Sequence, residues 1–287
     1  CGQTRRWTRA MSGSAPQQPV VPSAAYDADY YLRSCAGAVQ WAGSGGACFD
    51  PLYRGSLERA RLGEGDVLVD LGTGRGELVA LAVEMGAASA IGFEYSSDAV
   101  ALARSTLEQR SVGGRATVLA ADIRALPLPA ACADLVTMLD VVEHLAPAEL
   151  NDALIEARRI LRPGGRVFVH TMPNRLIYDV TYRLQRLGRP SRRRWPKDPR
   201  VDLERAMHVN EQSPASLRRT LRRAGFTGVV VELGAMVYDE FVPDEGARRT
   251  YHRLAGRRVT AQFGVADLWA EATAPRLSPC LGRGWRR

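Results

Sequence analysis

Residues 66–77 read DVLVDLGTGRGE. Val67, Leu68, Val69 and Leu71 make an apolar run that suits a parallel strand buried on both faces. The chain then passes glycines at 72, 74 and 76 before Leu78, Val79, Leu81 and Ala82 begin a helix. Glycines let the backbone turn sharply and approach a ligand without Cβ obstruction. A dinucleotide fingerprint would need glycines at 72, 74 and 77, but position 77 is Glu, whose charge opposes a pyrophosphate at a helix N-terminus. The loop alone is also compatible with a structural turn in another α/β protein.

The flanking sequence narrows the choice. ASAIGFE is a second strand closing on Glu94, 18 residues past Gly76. An acid there can accept hydrogen bonds from both ribose hydroxyls of an adenosine-containing ligand. Ser96 or Ser97 caps a helix whose Val100, Ala101 and Leu107 should face the sheet. ATVLAAD is a third strand closing on Asp122, and ADLVTMLDVVEHL carries a fourth that reaches Asp140. Residues 148–161 predict a helix with Leu150, Leu154, Ala157 and Leu161 on one face, stopped by the R-P-G-G turn at 162–165 before the strand RVFVHT. Ser213 and Pro214 start a helix with Leu217 and Leu221, ended by Gly225; GVVVELG and VADLWAEA supply two last strands.

The G-x-G-x-G loop behind Asp70, then Glu94, Asp122 and L-R-P-G-G ahead of an apolar strand, stand in register over about 100 residues. Together they resemble the class I S-adenosylmethionine (SAM) methyltransferases, small-molecule type, as found in quinone and specialised-metabolite pathways. The resemblance implies a Rossmann-like α/β fold: a seven-stranded, mostly parallel sheet with helices on both faces and strand seven antiparallel between five and six. It implies SAM as cofactor, a ligand without phosphate and with a cationic sulfonium, beside which acids are tolerable. Carried over position by position, it assigns cofactor binding to Asp70, Gly72, Thr73, Gly74, Gly76, Glu94, Tyr95, Asp122, Ile123 and Asp140. Asp122 would sit beside the adenine amino group, Ile123 would give an amide and an apolar wall, and DVVEHL would border the methyl-donor pocket.

Residues 1–25 read as disordered, 26–275 as the methyltransferase domain and 276–287 as a disordered tail, with Met11 read as an initiator. Residues 174–212 break the strand and helix alternation and should cap the acceptor site from beyond the sheet's carboxyl edge, with Leu176, Ile177, Val180, Leu184 and Leu187 at helical spacing. Tyr30, Tyr31, Leu32 and Trp41 either fold over the cofactor or belong to the core. The formal charge of +8 is concentrated in the tails and in residues 189–200, and Lys197 is the single lysine. That arginine bias is what a GC-rich genome produces, so a nucleic-acid partner is not expected. The scattered cysteines at 1, 35, 48, 132 and 280 offer neither a disulfide framework nor a zinc motif, which points to a reducing cytoplasm. No apolar run reaches the ~18 residues of a membrane span. The sequence assigns no oligomeric state.

Methyl transfer from SAM is an in-line displacement that needs alignment and exclusion of water, and a base where the acceptor is a hydroxyl. Of the histidines at 144, 170, 208 and 252, His208 is the preferred base, with Glu211 near enough in sequence to orient it, and His144 is the second candidate. The histidines lack ligand spacing, so no metal is expected. The reading is transfer of the SAM methyl group to an O or N atom of a small-molecule acceptor. Alternatives are an RNA or protein methyltransferase, or a SAM-fold protein with a non-methylating role.

Overall fold

The computed structural model describes residues 18–112, 114–188, 195–236 and 245–276. Three short helices, α1 (Ala28–Arg33), α2 (Ala38–Ser44) and α3 (Pro51–Arg59), precede the sheet. The alternation then runs β1 (Val67–Leu71), α4 (Glu77–Glu84), β2 (Ser89–Glu94), α5 (Ser97–Arg110), β3 (Ala116–Ala120), β4 (Ala133–Leu139), α6 (Pro147–Ile160) and β5 (Leu161–Thr171). After β5 come α7 (Arg183–Leu187), α8 (Asp202–Met207), α9 (Pro214–Arg223), β6 (Thr227–Leu233), α10 (Glu245–Ala255) and β7 (Leu268–Thr273).

The seven strands take the order β3-β2-β1-β4-β5-β7-β6. β1 to β5 are parallel, and β7 is antiparallel to both β5 and β6. This is the anticipated Rossmann-like arrangement. β1 lies between β2 and β4, where the strand order reverses, so a crevice opens at the carboxyl ends of these strands. One face of the sheet is covered by Leu150, Leu154, Leu217 and Leu221 of α6 and α9, and the other by Leu57, Leu78, Val79 and Val83 of α3 and α4.

Several local expectations change. α5 is capped by Ser96, as predicted, but its buried face is Ala99, Val100, Ala103 and Thr106, and Ala101 is exposed. α6 ends at Ile160 because Leu161 already has extended φ/ψ and pairs with Ala133; the R-P-G-G residues lie within β5, where the register shifts. In the cap, residues 177–182 form a π-helical turn ahead of α7. The wider turn rotates the phase of the following residues, so Tyr178 and Tyr182 are buried while Leu184 and Leu187 are exposed. Those tyrosines pack with Trp195 and with Ala247 and Tyr251 of α10, so the cap body draws on a second segment between β6 and β7. The ends of 174–212 meet where Arg175 N–H donates to the Gln212 carbonyl at 2.9 Å.

The N-terminal segment differs as well. Residues 18–25, grouped by sequence with a disordered stretch, dock on the domain: Val20 N–H donates to Glu149 at 2.9 Å and Val21 is buried. Tyr26 and Tyr31 pack beside Ala99 and Met207, while Trp41 donates its indole N–H to Thr106 at 2.9 Å. Of the predicted lid aromatics, Tyr30 and Tyr31 face the crevice and Trp41 is core. Residues 1–17 and 277–287 lie outside the described residues.

The fixing point of this layer is Arg75, in the glycine loop and 2% exposed. Its guanidinium donates to the carbonyls of Tyr31 and Ala36 and pairs with Glu77 at 2.8 Å. Removing one partner of a buried ion pair costs ~3–5 kcal/mol. Arg75→Ala should lower unfolding free energy by about that amount in chemical denaturation and expose residues 26–60 to limited proteolysis before the sheet unfolds.

Candidate functional site

At the carboxyl ends of β1, β2 and β4 the chain encloses a cavity of about 300 Å³, within the range of small-ligand sites. Its floor is the glycine loop. Gly72 N–H and Thr73 N–H both donate to the Phe93 carbonyl, at 2.8 and 3.1 Å, which ties the loop to β2. Gly72 has φ +77°, and a Cβ there would stand 2.5 Å from Val141 Cγ2. Gly76 has φ +78°, and a Cβ there would stand 3.0 Å from Ala103 Cβ, so its bare backbone lets α4 and α5 pack closely.

The predicted acids take distinct environments. Asp70, 3% exposed, accepts a hydrogen bond from Thr137 Oγ1 at 2.7 Å. Burial pushes its carboxyl up to about 6, against the hydrogen bonds of Thr137 and Thr73. Glu94 accepts the backbone amides of Tyr95 and Ser96 on Oε1, at 2.8 and 3.1 Å, and that of Gly74 on Oε2 at 3.1 Å. Burial still holds its carboxyl above the usual range. Tyr95 lines the cavity, and its hydroxyl donates to the Val21 carbonyl at 3.1 Å, which anchors the N-terminal segment.

Asp122 lies past the end of β3 with Ile123 beside it on the cavity wall. Both its oxygens are engaged by Arg124, whose Nη2 lies 2.6 Å from Oδ2 and whose Nη1 bonds Glu149 at 3.1 Å. The adenine-side carboxylate expected at Asp122 is therefore half of an ion pair. Asp140 follows β4 with φ +53°, a conformation an L-residue holds only where surrounding structure enforces it. Here His170 does so: its carbonyl accepts the Asp140 N–H at 3.1 Å, and its Nδ1 is 2.8 Å from Asp140 Oδ1. Burial opposes a charged His170, but Asp140 and Asp267 raise its pKa to about 10.

Glu143, which sequence reasoning passed over, is 1% exposed and accepts the Thr171 hydroxyl at 2.7 Å. Burial and the neighbouring Asp140 push its carboxyl up to about 8. His144 and His208, 64 positions apart, meet edge to face with ring centres 4.8 Å apart. The histidines lack ligand spacing along the chain, yet the fold brings two of them together: Glu143, His144 and His208 each present a donor atom, all within 4.8 Å of one another. The expected orienting partner of His208 does not bond it, because Glu211 Oε1 is 3.9 Å from Nδ1 and the carboxylate is held by Arg200 at 3.2 Å. Burial lowers His208 to about 4 and His144 to about 3, so both rings are neutral at pH 7. Cys35, also at the cavity, is pushed up to about 12 by burial and stays a thiol.

A family model described as a methyltransferase domain matches residues 69–169, from β1 through β5. A Mycolicibacterium smegmatis protein named "Probable S-adenosylmethionine-dependent methyltransferase" is 31% identical over 136 residues, covering 47% of this chain and 42% of that protein. Residues 69–169 are thus similar to the methyltransferase domain, and the chain spans less than half the length of the M. smegmatis protein. An uncharacterized methyltransferase of Geobacillus kaustophilus is 27% identical over 178 residues, 61% of this chain and 75% of that one. The crystal structure of the cyclase SpnF, with TM-score 0.55 and 20% identity over 85% of this chain and 86% of its own, shares the fold.

The family's cofactor fits the cavity. At Gly74, φ +53° and a Tyr31 ring 3.4 Å from any Cβ leave bare backbone facing the space. Asp70 and Glu94 bring buried negative charge where SAM carries a cationic centre and hydroxyls. Arg75, Glu143 and Arg124 are the site residues missed in the sequence. Only Arg75 left a signal, a charged residue inside a glycine loop.

The charge on Asp70 is held at a cost to the fold. Its folded pKa of about 6 exceeds the ordinary 3.8, so the folded state binds the proton more tightly and stability falls as pH rises through that interval. Asp70→Asn keeps an acceptor for Thr137 but cannot ionise. It should gain ~2–3 kcal/mol at neutral pH, a gain that shrinks towards pH 4, while SAM binding weakens. Thermal melting at the two pH values, with calorimetry for SAM, checks both signs.

Proposed function

We propose that the protein transfers the methyl group of SAM to an O or N atom of a small-molecule acceptor. The observation that carries this reading is the covering of the cavity: the helix of Tyr30 and Tyr31 and the His208 end of α8 both line it, leaving room on the scale of a metabolite rather than a polymer. When bound, SAM supplies an activated methyl group on sulfur. Asp70, the bare backbone of Gly72 and Gly74, and Glu94 bind and orient it, while Tyr26, Tyr30 and Tyr31 exclude water from one side.

Asp140, Glu143, His144 and His208 border the space left for the acceptor. His208 is neutral and able to take a proton, but a pKa near 4 makes it a weak base at neutral pH. An unprotonated amine would need no base, whereas a hydroxyl would need its acidity raised by other means.

Glu94→Ala should weaken SAM binding by ~1.5–3 kcal/mol, roughly 10- to 150-fold, in calorimetry on folded protein. Incubation with methyl-labelled SAM and fractionated cell extract should put label into low-molecular-weight product. Label found solely in precipitable RNA or protein would refute the small-acceptor assignment, and SAM binding without label in any fraction would favour a non-methylating role.

A further inference from the structure

We infer that Glu143, His144 and His208 form a binding site for one divalent first-row transition-metal ion, placed to hold an acceptor that offers two adjacent oxygens. The donor atoms of the three residues already lie within 4.8 Å of one another, so small rotations bring them onto one ion. His144 Nδ1 and His208 Nδ1 are buried yet find no hydrogen-bond partner among the described residues. A pair of histidines kept solely for packing would have these nitrogens satisfied.

The surroundings match what metal ligands need. Thr171 donates to Glu143 Oε2 at 2.7 Å and fixes that carboxylate, and a hydrogen bond to the Met207 backbone fixes the His144 ring. Asp140 adds a second carboxylate whose field reaches both rings. Two imidazoles with carboxylate select manganese, iron or zinc over calcium, which prefers oxygen ligands alone. The three residues border the cavity, which leaves coordination positions open towards it.

For its use, this inference rests on the methyl-transfer reading. A vicinal diol, catechol or 2-hydroxy acid would bind the ion through both oxygens. Coordination acidifies one hydroxyl, whose proton leaves to water. The resulting oxyanion attacks the methyl carbon; the C–O bond forms as the C–S bond breaks, and the electron pair returns to sulfur, giving the neutral thioether.

The test uses the full chain, stripped with EDTA and titrated with Mn²⁺ followed by electron paramagnetic resonance, and with Zn²⁺ by calorimetry. One ion should bind per chain, and His208→Gln and Glu143→Gln should each weaken it tenfold or more. SAM affinity in EDTA, measured on the same variants, should stay within about twofold, which shows that they fold and keeps this outcome separate from the methyl-transfer reading. Thr171→Val, which removes the hydrogen bond to Glu143 but no ligand, should weaken the ion by a smaller factor. Wild-type binding weaker than about 1 mM, or binding that neither Gln variant changes, overturns the site. Loss of SAM binding with the ion still held would overturn the proposed use and leave the site standing.

Discussion

A guanidinium buried in a glycine loop is the constraint on which the site's shape depends. Arg75 must satisfy its donors without water, and it does so with Glu77 and with the carbonyls of Tyr31 and Ala36. These bonds draw two N-terminal segments over the carboxyl edge of the sheet. The tyrosines then become the wall of a cavity instead of an unpartnered aromatic surface. Glu77, which on sequence grounds opposes a phosphate ligand, is also spent on this pairing.

The same edge gathers an unusual density of carboxylates. Asp70, Glu94, Asp140 and Glu143 stand at the ends of β1, β2 and β4, and burial acts on each of them. Their charge is offset by different means: hydroxyls at Asp70, backbone amides at Glu94, His170 at Asp140. Glu143 accepts the Thr171 hydroxyl and lies beside two neutral imidazoles, with no ion-pair partner among the described residues. A cationic sulfur at one end of the cavity and a metal ion at the other would each answer this excess of negative charge.

Sequence determined the scaffold because buried parallel strands, glycine turns and helix caps leave local signatures. The runs ending at Leu71, Glu94 and Leu139 and the Ser96 and Ser213 caps were legible, while the antiparallel seventh strand was expected from the family resemblance alone. The places of Asp70, Gly72 and Glu94 at the carboxyl ends of β1 and β2 were legible too, since strand ends and glycine turns fix them along the chain. Local spacing misled where the chain departs from regular helix: a π turn moved the buried face of the cap from leucines to Tyr178 and Tyr182.

What only the tertiary structure decided were the meetings between distant segments. Asp122 reads as a free acid until Arg124 folds back on it, and nothing along the chain ties Tyr95 to Val21 until the N-terminal segment docks. His144 and His208 have no ligand spacing along the chain, because α8 brings the second to the first across the cavity and periodicity does not encode that approach. Spacing within one strand or helix reports a face of that element; a site shared by elements far apart in the chain exists only once packing has set the distance between them.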